Sequence, residues 1–228
     1  MQNISTHYKK AQTIDSLESL ILRELNSNRM EVSNTLWGTS VCSDEVTNVF
    51  SQLNKYFLGP GPFQFGGISG LPFTGKTGFR AFASHIPDDG GAFILYGPHI
   101  GISKNGKAGE ILREGQTANS TCCGSLVAGL DAVKKGSVPQ DVVSDDYQQN
   151  RVVKMLIEKH QEIHKSDLPI KAITEIAYKQ IDRELKDIIS ACSDAVKGKK
   201  ILLMGGIVIN TDWNQEDYFD VKDVTLFS

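Results

Sequence analysis

The sequence predicts an α/β fold, a central and mostly parallel sheet flanked by helices, in one domain over residues 1–228 that opens on a helical segment. Three observations predict it. Ala92-Phe93-Ile94-Leu95-Tyr96 is a continuous apolar run between Gly91 and Gly97, the pattern of a strand buried on both faces. Ile201 to Ile209 is a second such run with two glycines inside, and Val221 to Phe227 adds a late strand. Between these lie segments with apolar residues at helical spacing. A chain of 228 residues, 40% hydrophobic and 22% charged, fits one domain or a tight pair. No repeat, low-complexity tract or linker divides it.

In order along the chain, Ile14 to Leu25 places Ile14, Leu17, Leu20, Ile21 and Leu25 on one helical face, with Asp15 or Ser16 set to cap the start. Asp44 to Leu58 repeats the pattern (Val46, Val49, Phe50, Leu53, Phe57) and stops at Gly59-Pro60-Gly61-Pro62. Cys42 therefore falls at a strand-to-helix junction. Gly59 to Gly78 holds seven glycines and three prolines, which favours an irregular, close-packed loop. His99 follows the Ala92–Tyr96 strand. Ser120 to Val133 reads as a buried helix ended by Gly136, with Cys122 and Cys123 in its first turn. Tyr147 to His164 and Pro169 to Val196 read as two long amphipathic scaffold helices. Ligands are expected at the C-terminal ends of the strands.

Composition narrows the partners. With 24 Lys+Arg against 27 Asp+Glu and no basic run, the chain lacks the electrostatic footprint of a nucleic-acid binder. Its longest nearly apolar run is far short of the ~20 residues that span a bilayer. The polar N-terminus MQNISTHYKK resembles neither a secretory signal nor a transit peptide, so a cytoplasmic protein is expected. Four cysteines, two of them adjacent, do not make a disulfide framework and raise the question of metal binding or thiol chemistry.

Two chemical signals compete. Gly70-Leu-Pro-Phe-Thr-Gly75-Lys76-Thr77 satisfies the phosphate-loop pattern G-x-x-x-x-G-K-[ST] and would imply a nucleotide hydrolase. Its context argues otherwise: glycines interrupt the segment before it, Gly78 breaks the start of the required helix, and Ile201–Ile209 runs into Asn210 and Thr211 before reaching Asp212. The second signal is Cys42, His99 and Cys123, each at a strand end or helix start. Two thiolates and an imidazole suit Zn²⁺ with a fourth position open. The bland alternative is cysteines buried as small apolar residues beside a packed histidine.

Several runs bear on that choice. Cys42-Ser-Asp-Glu45, Gly66-Gly-Ile-Ser-Gly-Leu-Pro-Phe-Thr-Gly-Lys-Thr-Gly-Phe79, His85-Ile-Pro-Asp88, Gly97-Pro-His-Ile-Gly101, Arg113-Glu-Gly-Gln116 and Cys123-Gly124 resemble the limiting-CO2-inducible protein B family, over about residues 35–227. The resemblance implies a β-carbonic-anhydrase-like fold, a homodimer, and Zn²⁺ held by Cys42, His99 and Cys123. It also implies that the glycine-rich stretch is scaffold around the zinc pocket and no phosphate cradle. One departure matters: Val46 stands where ordinary β-carbonic anhydrases carry the arginine of Cys-x-Asp-x-Arg.

The expected reaction is reversible hydration of CO2 to bicarbonate, since zinc with an open position lowers the pKa of bound water to roughly 7. A catalytically silent homologue that binds bicarbonate or a partner is the alternative. Asp44 is expected either to accept a hydrogen bond from the nucleophile, to ligate zinc in a closed state, or to cap the following helix. Arg113 or Arg80 would orient it, with Arg113 favoured by its Arg-x-Gly-Gln setting. His85 is a candidate proton carrier or a turn cap. Cys192 reads as core, and His160 and His164, four apart among Glu158, Lys159, Glu162 and Lys165, mark a solvated face. Leu126, Val127, the N-terminal helix and the late strands offer apolar faces for a homodimer.

Overall fold

The computed structural model describes residues 2–138 and 145–228. From the N-terminus the elements are α1 (Gln2–His7), β1 (Gln12–Thr13), α2 (Ile14–Ser27), β2 (Thr35–Ser40), a 3-10 helix (Glu45–Lys55), β3 (Leu58–Gln64) and α3 (Gly75–Ser84). There follow β4 (Gly91–Tyr96), β5 (His99–Gly101), β6 (Glu110–Ile111), β7 (Ser120–Thr121), α4 (Gly124–Lys134), α5 (Tyr147–Glu158) and α6 (His160–His164). The chain ends with α7 (Pro169–Ala191), β8 (Lys200–Asn210) and β9 (Tyr218–Phe227).

Seven strands form the main sheet in the order β1-β9-β8-β4-β2-β3, with β5 also paired to β8. β3, β2, β4, β8 and β5 are parallel, whereas β9 and β1 join antiparallel, so the sheet is mostly parallel with an antiparallel edge. The strand period of two sends alternate side chains of the apolar runs to opposite layers. Ala92, Ile94, Tyr96, Ile201 and Leu203 pack with α3, α4, α5 and α7 through Phe79, Phe82, Leu126, Leu156, Ile181 and Leu185. Phe93, Leu95, Leu202 and Met204 pack on the other face with Leu17, Ile21 and Leu25 of α2 and with Phe50 and Leu53. Helices on both faces explain why these runs contain no polar alternation.

Several local expectations give way to tertiary packing. A strand, β3, crosses the Gly59-Pro60-Gly61-Pro62 segment; it lies at the sheet edge, where a missing proline N–H leaves no ladder bond unmade. The loop expected to continue through Gly78 instead becomes α3 from Gly75, because burial of Phe79 and Phe82 outweighs the ~1 kcal/mol that a helical glycine costs. Ser120–Thr121 pairs with Glu110–Ile111, so the helix expected from Ser120 starts at Gly124. The long helix from Tyr147 breaks at Lys159, and the one from Pro169 ends at Ala191, before a short 3-10 turn over Ser193–Val196. Among the described residues no helix is long and apolar enough to cross a membrane.

Candidate metal centre

The parallel strands β2, β4 and β8 end at one edge of the sheet, and the chain turns there deliver the polar side chains. Cys42 stands two residues beyond β2, His99 opens β5 just past β4, Cys123 precedes α4, and Asn210 closes β8. Strand ends of an open α/β sheet are where ligands are bound. Gly97 makes the turn into β5 possible: its φ is +152°, and a Cβ there would collide with the Gly206 carbonyl. β5 then lies along β8, with His99 opposite Val208.

Cys42, His99 and Cys123 offer one ligand atom each, all within 4.8 Å of one another, and all three residues are buried. The two Sγ atoms are 3.9 Å apart. His99 is fully buried; its Nδ1 is 2.9 Å from Asn210 Oδ1, whereas its Nε2 has no hydrogen-bond partner among the described residues. A buried, unmatched ring nitrogen facing two thiols is costly unless something binds it. The hydrogen bond with Cys123, reinforced by burial, pushes the Cys42 thiol up, and the same bond holds Cys123 well below the usual thiol range. Burial opposes charge on His99, but the negative charge of Cys123 and the neighbouring thiols outweigh it and raise its pKa well above the ordinary value. A thiolate, a second thiol and an imidazole form a soft donor set that fits Zn²⁺.

The glycine-rich stretch wraps this cluster. The Ser69 N–H donates to Cys42 Sγ at 3.1 Å, Ser43 N–H to the Gly67 carbonyl, and the Ser40 hydroxyl to the Gly70 carbonyl. Ser69 holds φ of +58°, a strained conformation for a side-chain-bearing residue. Its hydroxyl donates to Ser125 Oγ at 3.0 Å. Lys76 and Thr77 enter the first turn of α3, so the following helix that a phosphate loop requires is present after all, but Asp212 is engaged elsewhere, accepting from the Lys104 and Leu112 amides. The strand before Gly70–Thr77 is the half-exposed edge β3, with two strands between it and β8.

Asp44 caps the 3-10 helix by accepting from Val46 N–H at 3.3 Å, and it does more than cap. Arg113 Nη2 donates to its Oδ2 at 3.0 Å and its Oδ1 at 3.3 Å, while Arg113 Nε donates to Glu45 at 2.8 Å. The guanidinium that Val46 cannot supply thus arrives from 67 residues downstream by way of the loop after β6. Asp44 Oδ2 lies 3.8 Å from His99 Nε2. Burial pushes this carboxyl up, but hydrogen bonding with Glu45 and the charges of His99 and Arg113 outweigh it, leaving the pKa below the usual value.

Other expected residues lie elsewhere. Arg80 forms a bidentate pair with Asp194 on the surface. His85 caps the C-terminus of α3 and is exposed, its ring beside Phe63 of β3, with no contact to Cys42, Cys123 or Asp44 among the described residues. His160 and His164 each direct Nδ1 to a backbone carbonyl and are exposed. Cys192 is buried against α3. Cys122 turns its Sγ to the far side of the histidine, 3.4 Å from His99 Nδ1. Leu126 is covered within the chain by its own helices. Sequence reading missed Asn210 and Ser69; position at a strand end was the one signal available for Asn210.

A cavity of about 410 Å³ adjoins Cys42 and Asp44, lined also by Trp37, Val41, Phe50 and Pro62. Comparison with known proteins places this arrangement. The chain is similar over 99% of its length to the crystal structure of PtLCIB4, a homolog of the limiting CO2-inducible protein LCIB, with 31% identity, 94% of that chain covered and a TM-score of 0.91. Against the crystal structure of LCIB itself the identity is 22%, with 97% and 92% of the chains covered and a TM-score of 0.74, a likeness of fold. No curated protein matches. The family model for limiting CO2-inducible proteins B/C, β-carbonic anhydrases, matches residues 11–228, farther toward the N-terminus than the sequence motifs reach. With the model matched over nearly the whole chain, this protein belongs to the limiting CO2-inducible protein B/C family of β-carbonic anhydrases.

Proposed function

We propose that the protein is a zinc-dependent carbonic anhydrase that interconverts CO2 and bicarbonate. One observation carries this reading: three buried soft ligands within 4.8 Å of one another beside a carboxylate clamped by an arginine. Cys42 Sγ, Cys123 Sγ and His99 Nε2 would hold the metal, Nδ1 being engaged by Asn210. When bound, Zn²⁺ supplies a Lewis acid that makes water a nucleophile at neutral pH. The chain does the rest. Asp44, kept ionised and fixed in orientation by Arg113, accepts a hydrogen bond from the attacking water and so turns its lone pair toward the carbon of CO2. Arg113 is a positioning residue. Trp37, Val41 and Phe50 give the adjoining cavity an apolar wall suited to CO2, and its polar wall from Ser43 to Thr47 suits departing bicarbonate.

The test is stopped-flow CO2 hydration by zinc-replete protein between about pH 6 and 9, the range in which such a nucleophile forms. A zinc-dependent rate above buffer supports the proposal. Full zinc with no rate would replace it with the silent homologue that binds bicarbonate or a partner. A homodimer is part of the proposal, supported by the family resemblance; light scattering that returns the monomer mass would reject it.

A further inference from the structure

The hydrogen bonds behind the metal centre decide which nitrogen of His99 faces the two sulfurs. Asn210 Oδ1 sits 2.9 Å from His99 Nδ1, and an amide can present either its oxygen or its nitrogen. Its other end is fully committed. Asn210 Nδ2 lies 2.6 Å from the Val46 carbonyl and 3.2 Å from Asp217 Oδ2, and both of these are acceptors. Turning the amide over would set its oxygen against two acceptors and its nitrogen against the ring. Asp217 is itself fixed, accepting from the Thr211 N–H at 2.8 Å and the Thr211 hydroxyl at 3.3 Å on Oδ1.

We propose that Asp217 is a positioning residue for the metal centre: through Asn210 it keeps the proton of His99 on Nδ1 and leaves Nε2 free as the ligand. The inference rests on the zinc reading above and deepens it. Its logic is donor and acceptor counting. Burial pushes the Asp217 carboxyl up from its ordinary value against the Thr211 and Asn210 donors; as a carboxylate it can only accept, and the Val46 carbonyl can only accept, so the Asn210 nitrogen points to them, its oxygen faces Nδ1, and Nδ1 donates. Outer partners of ligand histidines fix tautomer and ring orientation in this way. The two residues come from opposite ends of one turn, Asn210 closing β8 and Asp217 preceding β9, so the β8–β9 connection is built into the centre. Val46 takes a place here too, through its backbone carbonyl.

The experiment measures zinc affinity by chelator competition, with the His99 tautomer read from side-chain ¹⁵N shifts of the zinc-loaded protein. Asp217→Asn keeps the size and the Thr211 bonds but sets an amide donor against the Asn210 donor; affinity should fall roughly 10- to 100-fold, the usual cost of losing such a partner. The ¹⁵N shifts of that variant should lose the uniform Nδ1–H signature of the wild type, a change that a merely structural loss would not produce. Wild-type affinity in Asp217→Asn, or a loss of affinity with the wild-type Nδ1–H signature intact, overturns the proposal. Zinc binding by the wild type with either of those results overturns this inference alone; absence of zinc binding by the wild type overturns the zinc reading and the inference with it.

Discussion

Gly70–Thr77 and the trio Cys42, His99 and Cys123 make opposite impressions in sequence and exchange places in the structure. The first satisfies a contiguous phosphate-loop pattern; the second has no regular spacing at all. Yet the pattern's glycines serve the trio. Gly70, with φ of +84°, lets the loop press against the Gly97 carbonyl, and the preceding Ser69 amide donates to Cys42 Sγ. A phosphate loop works by aiming successive amides at an anion after a buried strand. Here the strand is an edge and an amide is given to sulfur. What decides the chemistry of a glycine-rich loop is where its N–H groups point.

The ligands carry the largest expected effect. Replacing Cys42 and Cys123 together by Ala should take bound zinc from one per chain to none by elemental analysis, and CO2 hydration should vanish with it. Zinc unchanged in that variant would remove the trio from contention. Asp44→Asn sharpens the same side: zinc stays, and the hydration rate falls by roughly 10²–10⁴, the usual loss when acid–base help is removed. Asp44→Ala should add about 1 kcal/mol of destabilisation, read by thermal melting, because the cap to Val46 N–H goes as well.

Zinc affinity should weaken as the pH falls. The sign follows from the metal-free site, where His99 keeps its proton to above its ordinary range; metal must displace that proton, so each fall in pH strengthens the competitor. Chelator competition across the neutral range checks it, and a flat profile would contradict the ligand assignment. On the loop side, Gly70→Ala forces a Cβ into a left-handed conformation against the Gly97 carbonyl, and should cost about 1 kcal/mol or more and reduce zinc retention. Lys76→Ala should change neither zinc content nor hydration rate, and ATP should show no affinity for either protein by calorimetry. Micromolar ATP binding lost in Lys76→Ala would reverse the comparison.

Features that repeat over short distances are legible in the amino-acid order. The Ala92–Tyr96 and Ile201–Ile209 runs are strands because apolar stretches without polar alternation need cover on both faces, and α2 and α7 are helices because their apolar residues recur at helical spacing. Cys42, His99 and Cys123 stood out as residue types at element ends, and family resemblance turned them into a set. Only the tertiary structure decided between Arg113 and Arg80, since the ion pair with Asp44 depends on where the loop after β6 crosses the sheet edge. It also turned the end of the glycine-rich stretch into α3, with His85 as its C-terminal cap beside Phe63. Asn210 and Asp217 could not be found by spacing, because each acts on a residue far away in the chain. Periodicity is a local property of the backbone, whereas convergence at a sheet edge is set by strand order, and strand order is fixed by the burial of both faces together.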